Sequence, residues 1–137
     1  DAVKPAFFVY NSTNNWISNV SVGTLIQFNT AKFNLGSHFN LSTYKFTAPV
    51  AGLYQINCMQ NNDYGNGSYP SNFRIHVNNS LYAGLNFDQL DSHSGWFTHT
   101  LVGTLNLARN DTVRLFTSSA ARVDNNNWNH YSLYLIG

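Results

Sequence analysis

The sequence predicts an all-β sandwich or barrel, and three observations predict it. Apolar residues recur at every second position and not at helical period. Clusters of Asn, Ser, Gly and Asp punctuate these rows at short intervals, as turns between short strands do. Only 9% of the 137 residues are charged, all six acids are Asp, and no Glu occurs. A helical chain spends Glu and Lys on its wet faces, whereas Asn, Ser and Thr suit strands and turns. The length allows one domain, residues 1–137, and 43% hydrophobic content excludes disorder.

The rows follow in order. Leu25, Ile26 and Phe28 form an apolar group, and Tyr54, Ile56 and Cys58 form the first clear alternation. Phe73, Ile75 and Val77 point one way while Arg74 and His76 point the other. Leu101, Gly103, Leu105 and Leu107 alternate with Val102, Thr104 and Asn106, and Val113 and Leu115 flank Arg114. Tyr131, Leu133 and Leu135 alternate with Ser132, Tyr134 and Ile136. Turns are predicted at 11–15, 61–71, 78–80, 108–111 and 124–129, and Leu105 to Leu115 reads as a tight hairpin. Leu25–Phe28 and Tyr134–Ile136 are apolar on both faces, a surplus expected of subunits that bury a face in an oligomer.

Several classes are excluded. A net charge of +1 gives no phosphate-tracking patch for nucleic acid. The single cysteine, Cys58, forms no intrachain disulfide. No apolar run approaches the roughly 20 residues of a membrane span, so no membrane insertion is expected. No signal peptide is visible, and because Asp1 is not an initiator Met the chain reads as a mature or excised fragment. Asp88, Asp91, His93 and His99 sketch an acid–base group, but nothing orders them around a nucleophile, so no enzyme is expected.

From Phe28 onward a longer pattern emerges. Phe28, Asn34, Phe39, Phe46, Gly52 and Tyr54 stand at intervals that resemble the signature of the complement C1q globular-head family, one of the tumour-necrosis-factor-like jelly rolls. Pro5-Ala6-Phe7 resembles that domain's opening strand, the stretch from Phe46 to Tyr54 its most distinctive segment, and Tyr131–Ile136 its closing strand. Asn110 stands where the family has Gly, Ile56 and Cys58 where it prefers aromatics, and Leu133 where it has Gly. These departures suggest a rearranged core within the same fold. The resemblance implies a ten-stranded jelly roll with adjacent termini, a homotrimer with an apolar three-fold interface, and a role in recognition, often on a stalk supplied by upstream sequence.

The loops carry the ligand chemistry. Trp16, Tyr64, Asn66, Tyr69, Asn126, Trp128 and His130 are the candidate ligand-binding residues, since rings cover apolar sugar faces while amides bond hydroxyls. Tyr, Asn, Ser and Gly also suit contact with a protein. Asp88 and Asp91 are the candidate calcium ligands, with Asx turns as the alternative. Three settings follow: the receptor-binding tip of a phage or bacterial fibre touching a host-surface glycan or protein, a secreted animal C1q-domain lectin or immune recognition protein, and a purely structural trimerisation domain. The first two place the chain outside the cell or on a virion surface.

Overall fold

Alternation becomes structure because each row turns its apolar members into the gap between two sheets. The computed structural model describes residues 3–12, 15–20, 25–63, 71–89, 96–117, 121–125 and 129–137, and among them there is no helix. The strands are β1 (Ala6–Tyr10), β2 (Asn15–Val20), β3 (Thr30–Leu35), β4 (Phe39–Asn40), β5 (Lys45–Thr47), β6 (Gly52–Asp63), β7 (Ser71–Val77), β8 (Ser80–Gln89), β9 (Trp96–Leu107), β10 (Thr112–Thr117), β11 (Ala121–Asn125) and β12 (His130–Leu135). Ten of them build two five-stranded antiparallel sheets, ordered β3-β1-β12-β6-β9 and β4-β5-β10-β7-β8, while β11 and β2 form a separate ribbon. The ten-stranded sandwich matches the expectation, and the ribbon adds to it.

Large rings fill the space between the sheets. Phe7 meets Phe39 at 4.6 Å between centroids and Tyr131 edge-on at 4.9 Å, in the offset geometries aromatic pairs prefer. Phe28, Phe46, Tyr54, Ile75, Leu105 and Leu115 are buried around them. Ile26 and Phe28 join this core, and Leu25 bridges to Phe116, so that apolar group is consumed within one subunit. Tyr134 and Ile136 remain exposed.

Leu105 to Leu115 is not a hairpin. β9 belongs to the first sheet and β10 to the second, so the tight turn between them is a corner linking layers. Asn110 turns it with a φ of 73°, a left-handed conformation that Asn tolerates where the family uses Gly. Asp111 accepts from the Ala108 N–H and, through its other oxygen, from Asn78 Nδ2 at 2.8 Å. Asn78 and Asn79, both at positive φ, make the β7–β8 turn, so Asp111 ties two turns together.

The predicted turn clusters were too broad. Asn15, Asn61–Asp63, Ser71 and Asp124–Asn125 lie in strands, because pairing partners override the turn preference of Asn and Asp. The termini meet at one end of the sandwich. The Leu135 N–H donates to Pro5 O and the Leu53 N–H to Gly137 O, both at 3.1 Å. A Cβ on Gly52 would stand 2.9 Å from Gly137 O, so glycine is required there for close approach.

Candidate functional site

At the opposite, distal end, register gathers the segments that carried the predicted ligand chemistry. Tyr10 pairs with His130, and Asp63 at the end of β6 pairs with Trp96 at the start of β9. Ser71 at the start of β7 pairs with Gln89 at the end of β8. The β2–β11 ribbon continues from the same end, with Asn15 opposite Asn125 and Trp16 opposite Asp124. Tyr64, Asn66, Tyr69, Asn126, Trp128 and Asp91 lie outside the described residues, but every strand that leads to or from them terminates at this end. Asp88 is in β8, opposite Asn72. Among the described residues no three His, Cys, Asp or Glu side chains gather to hold a metal.

His130 is the one predicted ligand residue whose side chain is described. It is half-buried and stacked on Phe8, with ring centroids 5.1 Å apart and planes at 20°. Burial lowers its pKa below the ordinary histidine value, which keeps the ring neutral. Beneath it runs a cross-strand row of buried carboxamides. Asn11, Asn129 and Gln60 stand one step beyond the Tyr10–His130 and His130–Met59 pairs of β1, β12 and β6. Gln60 Nε2 donates to Cys58 Sγ at 3.6 Å, and burial pushes the Cys58 thiol up to about 12. Burial likewise raises Tyr131 well above its usual value. The floor of the distal end is therefore polar and uncharged, and Cys58 is protonated at neutral pH, too poor a nucleophile for covalent chemistry. Asn11-Ser12-Thr13 is an N-glycosylation sequon, but Asn11 is only 2% exposed, so the sequon is closed in the folded domain.

Two sheet faces complete the surface. On the outer side of the first sheet Phe33, Tyr134, Ile136 and Val102 are 45%, 46%, 47% and 55% exposed, although a lone sandwich has no use for them. On the solvent side of the second sheet Arg114 pairs with His76 and Phe116 with Arg74. Val113 pairs with Phe46, which sets Lys45 beside Arg114 on its other flank. Alternation had marked Arg74, His76 and Arg114 as outward. It did not reveal them as neighbours of Lys45, because adjacency comes from the β5-β10-β7 pairing and not from spacing along the chain.

Comparison with known proteins agrees with this architecture. The chain is similar in structure to the globular domain of zebrafish complement 1qA protein, with a TM-score of 0.74 at 19% identity over 98% of each chain. It is similar to Eiger TNF from S. frugiperda, with a TM-score of 0.69 at 11% identity over 98% of this chain and 93% of that one. Murine APRIL gives 0.69 at 8% identity over 98% and 100%. No curated protein sequence matches. The C1q domain model matches residues 6–135, nearly the whole chain, and the protein therefore belongs to the C1q domain family.

Proposed function

We propose that the chain is a trimeric recognition module acting outside the cell, the receptor-binding tip of a phage or bacterial surface fibre that contacts a host-surface glycan or protein through its distal end. One observation carries the reading: the strand ends that bracket the aromatic and Asn-rich segments all emerge opposite the paired termini. A module held at its termini by a stalk or shaft would present that end outward. The nearly uncharged, Glu-free composition favours the fibre. A second reading, a secreted animal C1q-domain lectin, is favoured by the likeness to the zebrafish complement domain.

A glycan array probed with the purified domain tests the distal end. Binding to a defined set of sugars is expected, weakened about tenfold by Trp128→Ala, since a stacked ring contributes on the order of 1–1.5 kcal/mol beyond its buried area. Binding that Trp128→Ala and Tyr64→Ala leave intact puts the site elsewhere.

A further inference from the structure

The second sheet offers a surface independent of the distal end. We propose that the solvent face of β4-β5-β10-β7-β8 binds an anionic polysaccharide, whose sulfate or carboxylate groups sit on the Lys45–Arg114–His76 row. The row crosses three adjacent strands, spaced about 4.8 Å apart. Like charges directly opposite one another in a sheet are destabilising, yet Lys45 flanks Arg114, and Arg74 lies diagonally across from Arg114. Lys45, Arg74 and Arg114 are three of only seven Lys and Arg residues in the chain.

Among the described residues no carboxylate pairs with Arg114. Arg114 is half-buried, and its Nε is buried without a hydrogen-bond partner. Asp111, the carboxylate nearest to it in sequence, is engaged by Asn78 and the Ala108 N–H. A guanidinium matches a carboxylate or sulfate, which its planar fork can bond in bidentate fashion.

The shape of the surface favours a sugar chain over an acidic peptide. Peptides recognised by sheets typically add as a strand along an edge, where main-chain bonds are available. This surface is a face, and its cations run across the strands. Phe116, with His76 packed against it at 4.6 Å between centroids, provides a ring on which the apolar face of a pyranose can rest.

Heparin serves as the probe, in titrations of the intact domain at about 50 mM salt, where exposed charges are little screened. Measurable binding is expected, with Arg114→Gln and Lys45→Gln each weakening it about tenfold and lowering its salt dependence by about one ion. Lys32→Gln, on β3 of the other sheet, is expected to bind as the parent does. Melting curves separate binding from folding: removing a like charge from the row should leave the melting temperature of Arg114→Gln unchanged or raise it. No heparin binding overturns the proposal, as does equal weakening by Lys32→Gln, which would signify attraction to overall charge. Competition by poly-glutamate as effective as that by heparin would also overturn it, in favour of an acidic polypeptide.

Discussion

Leu133 and Ile56 face one another across β12 and β6, both fully buried. Where the family pattern has an aromatic residue and a glycine, this chain carries two aliphatic side chains, so bulk is moved from β6 to β12. Cores tolerate volume-conserving exchange far better than net change. Ile56→Phe alone should therefore overpack and cost about 1–3 kcal/mol. Leu133→Gly alone should leave a cavity and cost at least about 3 kcal/mol. The double variant should recover part of both losses, with a coupling of about 1–3 kcal/mol in a urea-unfolding cycle. Strict additivity would show that the two positions do not compensate. Other spaced residues are legible because each has a single geometric task. Asn34 closes the β3–β4 turn by donating from Nδ2 to Phe39 O at 2.8 Å and accepting from the Phe39 N–H at 3.1 Å. Tyr54 sets its ring in the core and donates to Val50 O at 2.7 Å. The carboxamide row was less legible, since Asn11 and Asn129 lie in stretches whose composition describes a turn equally well.

Among the elements, β12 carries the clearest pH dependence. Burial lowers the pKa of His130, and burial together with the Arg74 charge lowers that of His76. Both groups therefore take up protons more readily when the chain unfolds, where an ordinary histidine titrates near 6.5. Stability should be full above that value and decline as pH falls through about 6.5 toward the folded-state values. Melting temperatures from pH 7.5 to 5.5 should show this decline, and His130→Phe, which keeps a ring against Phe8, should flatten it. An unchanged slope in that variant would remove His130 from the account. Element identity followed from alternation, but element pairing did not. Leu105, Leu107, Val113 and Leu115 all face inward, as their spacing predicts, and the same spacing fits a hairpin or a corner between layers. Only the sheet order distinguishes them. The β2–β11 ribbon escaped notice because Asn15 and Asn125, which close it, read as turn residues.

For the whole molecule the decisive feature is an apolar face that the single sandwich does not use. Phe33, Tyr134, Ile136 and Val102 lie on the outer side of the first sheet, whereas Leu25, Ile26 and Phe28, which also looked surplus in the sequence, pack within the subunit. Half of the apolar surplus thus points to association, and the three-dimensional arrangement identifies which half. Burying a large apolar side chain contributes about 1.5–3 kcal/mol, so several of them repeated in each subunit can hold copies together without crosslinks. Light scattering at micromolar concentration should give three times the 15.4 kDa chain mass. Tyr134→Asp should abolish the assembly, because a carboxylate left unpaired in an apolar interface costs about 3 kcal/mol or more in every copy. The β-sheet circular dichroism of that variant should survive, since Tyr134 is exposed in the single chain. A parent protein that is monomeric at this concentration, or a Tyr134→Asp protein that is still trimeric, would show that the face serves another partner.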